Sequence, residues 1–122
     1  MKSKNIKQMK VTVQQHLEAD AVMQGEYWQR DNNAVGGRGC FIGCLAHDAD
    51  TRVLERQYGI PRVLSRIAEA IFERLPIHEA KQFFRDIPEA IGRDGRDLTL
   101  VPWQFFNLAA KQLPGLIEDD KA

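Results

Sequence analysis

The chain has 122 residues, with 17 Lys+Arg balanced by 17 Asp+Glu, 43% hydrophobic residues and 28% charged residues. That balance excludes a disordered, collagen-like or membrane-embedded chain and fits one soluble domain that buries roughly two-thirds of its unfolded surface in a single core. A net charge of zero and a pI near 6.8 argue against a general nucleic-acid binder, which carries a basic domain.

Residues 1–10 hold Lys2, Lys4, Lys7 and Lys10 with little apolar content and are predicted to form a flexible basic arm. No apolar run follows them as it would in a signal peptide. No stretch reaches the roughly 18 uninterrupted apolar residues of a spanning helix. The expectation is a cytoplasmic protein with no membrane partner. Cys40 and Cys44 are too few for a disulfide framework. Thr12-Val13-Gln14-Gln15 has capping-box spacing, and Val13, Leu17 and Ala21 continue as a stripe, so a helix is predicted from Thr12 to about Gln24, ended by Gly25.

Residues 25–39 read as a loop rich in turn formers (Asp31, Asn32, Asn33, Gly36, Gly37 and Gly39), with the aromatic pair Tyr27-Trp28 inside it. Residues 40–47, CFIGCLAH, read as a short apolar helix, and Thr51–Tyr58 as another, stopped by Gly59. Pro61 opens the clearest helix and Pro76 closes it; Val63, Leu64, Ile67, Ala68, Ile71, Phe72 and Leu75 define its buried face. A helix over 78–87 carries Ala80, Phe83, Phe84 and Ile87 and is broken by Pro88. A polar turn over 92–97 precedes a last helix from Leu98 or Pro102 to Leu113, ended by Pro114-Gly115. Glu118, Asp119 and Asp120 make residues 116–122 an acidic tail. VTV and LTLV are too short to carry a sheet. The predicted fold class is all-α: a compact single-domain bundle of five or six short helices over residues 11–115.

The segment with chemical potential is residues 36–47. At about 100° per residue, Cys40, Cys44 and His47 fall within about 60° on one helix face. Four readings stay open. Small Gly and Cys side chains allow another helix to pack closely, with the thiols as small buried hydrophobes and His47 stabilised at the helix C-terminus. Two thiolates and an imidazole are zinc ligands, with His16, His78, Asp48 or Asp50 as a fourth. Cys40 at a helix N-terminus beside Arg38 could be a reactive thiol, with Cys44 as resolving partner and His47 or His78 as base. The amides of Gly37, Gly39 and Cys40 with Arg38 could hold an anion, although the spacing matches neither phosphate-loop motif. Packing ranks first, because reactive use is the rarer fate of a cysteine. Arg52/Arg56 and Arg62/Arg66 are i, i+4 pairs that could form a basic ridge, with Glu55, Glu69 and Glu73 interleaved. Asp86 and Glu89 flank Pro88 without implying an acid–base pair.

The run Gly37-Arg38-Gly39-Cys40-x-x-Gly43-Cys44-x-x-His47, then Tyr58-Gly59-Ile60-Pro61, Ile71-Phe72-Glu73-x-Leu75-Pro76 and Asp97-Leu98 resembles a group of small uncharacterised proteins of bacterial genomes, phages and other mobile elements. In that group an aromatic pair like Tyr27-Trp28 precedes the G-x-G-C motif. The likeness covers about residues 27–113, and Asp31 to Val35 form an enlarged spacer within it. The resemblance implies an accessory protein of prophage origin and supplies no activity and no catalytic residue.

The expectation is therefore a small soluble helical protein that binds a protein partner. Tyr27, Trp28, Arg38, Arg52 and Arg56 supply the contact, because aromatics and arginine dominate interface hot spots. Nucleic acid is not expected as the main partner, a homo-oligomer is compatible, and no cofactor is expected. The alternatives are a cysteine-dependent enzyme or redox protein, or a zinc-stabilised domain. Both would rest on Cys40, Cys44 and His47.

Overall fold

The computed structural model describes residues 2–98. Ile6, Met9, Val13 and His16 recur every three or four residues and are all buried on one face of helix α1 (Ile6–Glu18). Lys4, Lys7 and Lys10 point outward beside them. The helix thus starts and ends about one and a half turns earlier than the capping-box spacing predicts, and Thr12 lies in its middle. A loop leads to two short antiparallel strands, β1 (Gln29–Arg30) and β2 (Gly37–Arg38), in the register Gln29↔Arg38 and Arg30↔Gly37. Helix α2 (Phe41–Ala46) follows, then α3 (Thr51–Tyr58), α4 (Arg62–Arg74) and α5 (Ile77–Ile91). The all-α class stands, and the hairpin is the addition that sequence alone did not give.

Residues 2–5 are not a free arm. Ser3 is buried: its N–H donates to Arg96 O (2.8 Å), its hydroxyl to Arg93 O (2.6 Å), and the Arg96 N–H donates back to the hydroxyl (2.9 Å). Asp94 then caps α1, accepting the Ile6 N–H at 2.9 Å, where a helix start leaves its amides without partners. The polar turn expected over 92–97 is present and serves as the latch for the chain's beginning.

Helix α3 has the boundaries its sequence indicates. Asp50 accepts the Arg52 N–H at 2.9 Å as N-cap, and Gly59 takes the left-handed C-cap at φ 69°. Helix α4 also runs as expected, except that Val63 is 65% exposed and so leaves the buried face. Pro88 does not break α5, which continues to Ile91. The missing proline N–H and ring clash cost about 3 kcal/mol, and burying Pro88 and Ile91 against the core offsets it at about 1.5–3 kcal/mol per side chain. Arg96 then closes the helix by donating to Ala90 O (2.8 Å) and Ile91 O (2.9 Å).

The core lies around α2, whose residues Phe41–Leu45 are all buried. Helix α1 packs on α2 and α5, and α4 on α2, α3 and α5. Phe41 meets Phe84 edge to face at 6.0 Å. No helix among the described residues is long and apolar enough to cross a membrane. The predicted last helix and acidic tail lie outside the described residues, apart from Leu98, which is buried. The latch makes a prediction. Asp94→Ala should lower stability by about 1 kcal/mol, as cap removals do, while Lys7→Ala on the outer face stays within about 0.5 kcal/mol. Urea denaturation of the two variants checks this.

Candidate functional site

The glycines of the G-x-G-C-x-x-G run serve close packing. A β-carbon on Gly39 or Gly43 would land on the carbonyl oxygen of Tyr27, and one on Gly37 would sit 2.6 Å from the Trp28 ring. Only glycine lets the extended segment at 27–29 lie this close to β2 and α2. The amides proposed for an anion are already used: Gly37 N–H donates to Asn33 Oδ1 (2.9 Å), Gly39 N–H to Ala21 O (2.8 Å) and Cys40 N–H to Glu26 O (2.8 Å). Arg38 faces Asp31 at 3.8 Å as an exposed pair. The anion-loop reading is therefore corrected: the run is a seat for Tyr27 and Trp28.

Cys40, Cys44 and His47 do not converge. Cys40 is the N-cap, with an extended backbone, and His47 is the left-handed C-cap at φ 53°, so neither follows the helical phase that put them on one face. Cys40 is buried beside Glu69; burial first, and then the Glu69 carboxylate, push its thiol well above the usual range. Cys44 donates to Gly39 O at 3.2 Å, and burial pushes it up to about 12. Such thiols stay protonated at neutral pH and are poor nucleophiles. Arg38, expected to activate Cys40, is engaged elsewhere. Glu69 also accepts the Ile42 N–H at 2.9 Å, so the chain's own carboxylate occupies the N-terminus of α2. Burial raises the Glu69 pKa above the usual carboxylate value.

His47 instead meets residues distant in sequence. Its ring stacks on Trp28 with centroids 3.9 Å apart and planes 9° from parallel. Its Nε2 lies 2.9 Å from Nε2 of His16, and Nδ1 of His16 lies 2.7 Å from the Thr12 carbonyl. A carbonyl only accepts, so the His16 proton sits on Nδ1, and the neutral pair is joined by the His47 Nε2–H. Burial lowers the pKa of both rings, and the neighbouring His16 lowers that of His47 further. The two histidines line a groove of about 560 Å³ between α1, α2, the hairpin loop and the end of α3, shared with Gln15, Glu18 and Gln57. The buried Tyr58 hydroxyl in its wall faces the Thr12 side chain. The sequence brought His16 to His47 only as one of four options for a fourth zinc ligand, and nothing local pointed to Trp28 as their neighbour.

A second groove, of about 610 Å³, holds Tyr27, Arg52, Arg62 and Arg66 together with Asp50, Glu69 and Glu73. Tyr27 is 49% exposed. Of the predicted binding residues, Tyr27 and Arg52 thus meet here, joined by the Arg62/Arg66 ridge. Trp28 belongs to the histidine cluster, Arg38 to the hairpin, and Arg56 to the exposed last turn of α3. The acids of this groove are spoken for. Asp50 holds the Arg52 guanidinium at 3.0 Å, Glu69 the Ile42 amide, and Glu73 the Gly25 amide at 2.7 Å. Arg62 and Arg66 have no ion pair among the described residues.

No protein-family model, curated protein or solved structure matches the chain.

Two predictions follow from this geometry. Gly43→Ala should destabilise by about 2–4 kcal/mol, because backbone rather than a flexible side chain must move. Gly25→Ala, which meets open space but sits at φ 92°, should cost about 1 kcal/mol. Thermal melts compare them. The histidine pair gives a pH dependence. Both folded-state pKa values lie below 6.5, so as pH falls below that value the unfolded chain binds protons that the folded pair refuses. Stability is full above pH 6.5 and falls as pH drops toward the folded values. Glu69, raised above 4.5, acts in the opposite direction, and it cancels in the difference between wild type and His47→Asn. The expected result is a flatter stability profile between pH 7.5 and 5.5 for His47→Asn, read from urea midpoints at several pH values.

Proposed function

We propose that the protein is a small helical binding module that takes an acidic segment of a protein partner in the groove of Tyr27, Arg52, Arg62 and Arg66. One observation carries this reading: an exposed tyrosine stands beside Arg62 and Arg66, which have no ion pair among the described residues, while the groove's Asp50 is held by Arg52. The groove therefore presents guanidinium donors and an aromatic face, the residue types that concentrate binding energy at interfaces. Planar guanidinium groups fit carboxylates through paired hydrogen bonds, which makes Glu- or Asp-rich sequence the matching chemistry. The module works in the cytoplasm, where its two free cysteines stay reduced. The resemblance to phage and mobile-element proteins supports an accessory role.

Fluorescence anisotropy of a labelled Glu-rich peptide carrying a central aromatic residue tests the reading. Binding should weaken with added salt, as expected for exposed charges. It should fall about tenfold or more in Arg62→Glu/Arg66→Glu, with stability changed by no more than about 0.5 kcal/mol. Equal affinity in the charge-reversed variant removes the proposal. So does a single-stranded oligonucleotide that outcompetes the peptide for the same arginines.

A further inference from the structure

The histidine cluster in the other groove has a geometry that points to a ligand of its own. His16 gives its Nδ1 proton to the Thr12 carbonyl (2.7 Å), which leaves the Nε2 lone pair directed at Nε2 of His47. A metal-ligating histidine takes this form: the outer nitrogen donates to a backbone carbonyl, which fixes the tautomer and aims the inner lone pair. The two Nε2 atoms are 2.9 Å apart. Nitrogens bound at about 2.0–2.1 Å to one ion lie about 2.9 Å apart at a right angle and about 3.4 Å apart at the tetrahedral angle.

We propose that His16 and His47 together bind one divalent transition-metal ion of the imidazole-preferring class, copper(II) foremost, with nickel(II) and zinc(II) behind it. The ion takes the place of the His47 Nε2 proton, which transfers through solvent to Nδ1 of the same ring, so both imidazoles bind as neutral ligands. The rings meet edge-on with centroids 5.1 Å apart and planes 64° from parallel, so His47, the ring at the surface, turns toward the groove to admit the ion. Trp28 lies along one face of His47 and limits where that ring can go. Among the described residues no third His, Cys, Asp or Glu joins the pair. The remaining coordination positions open into the groove of about 560 Å³, where water or a small ligand can occupy them. This site shares His47, and His16 as one candidate fourth ligand, with the alternative zinc site read from sequence, but not its two thiols, which face Glu69 and the Gly39 carbonyl instead.

Trp28 makes the test direct, since a bound copper(II) or nickel(II) ion would sit next to it and quench its fluorescence. The chain has two tryptophans, so Trp103→Phe leaves Trp28 as the sole tryptophan emitter, read apart from the two tyrosines by selective excitation. Titrating that protein with copper(II) chloride and with nickel(II) chloride should give saturable quenching at one ion per chain, matched by calorimetry on the wild-type protein. His47→Asn, which suits the left-handed C-cap, should weaken binding about tenfold or more. His78→Gln should leave it unchanged. If His16→Gln does not fold, His47→Asn carries the test alone. Quenching that never saturates overturns the proposal. So does equal binding by His47→Asn and wild type, or loss of binding in His78→Gln.

Discussion

The contact on which the rest depends is the near-touch between the Tyr27 carbonyl and the backbones of Gly39 and Gly43. No side chain fits between them. This brings an extended segment within hydrogen-bonding reach of the chain entering α2: Cys40 N–H bonds to Glu26 O and Met23 N–H to Gly39 O, each at 2.8 Å. With the segment fixed, successive side chains point to opposite sides, as they do in any extended strand. Trp28 stacks on His47, and Tyr27 enters the arginine groove. The glycines thus set where an aromatic pair lies.

A six-residue helix at the centre of a core brings a second constraint. Helix α2 exposes almost no surface, so its terminal amides and carbonyls need partners from within the protein. Glu69 supplies one from α4 by reaching the Ile42 amide. The acid that caps the helix also sits against Cys40 and raises that thiol further. The helix N-terminus that could have stabilised a thiolate is thereby turned against it. At the other end, the left-handed turn at His47 ends the helix and carries the imidazole out toward His16.

Much of the fold could be read from local pattern. Thr51–Tyr58 with Gly59, and the helix opened by Pro61, were legible because caps and apolar spacing act within one or two turns. The start of α1 is misread because four lysines outweigh Ile6 and Met9 in composition, although Lys7 and Lys10 lie on the helix's outer face and the apolar residues on its inner one. Pro88 was read by its local cost, while tertiary burial of Pro88 and Ile91 decided the outcome. The site was less legible. Helical phase predicted that Cys40, Cys44 and His47 converge, yet phase holds only inside a helix, and two of the three are its caps. The His16–His47–Trp28 cluster joins residues up to 31 positions apart, a pairing that no local period encodes.

The arrangement also bears on whether the two grooves can act on each other. Helices α2 and α3 line both, and a further link is the backbone between Tyr27, which lines one groove, and Trp28, which stacks on His47 of the other. That backbone is pinned by glycine contacts on one side and by the hairpin register Gln29↔Arg38 on the other. Coupling between sites needs an element with two packed arrangements that each ligand favours differently. A segment lying against three glycines with no space for a β-carbon has one. A ligand that turns the His47 ring can draw on the freedom of that surface side chain and its open groove without moving Tyr27. The same close approach therefore closes the Tyr27–Trp28 backbone as a route between the grooves, which leaves α2 and α3 as the elements they share.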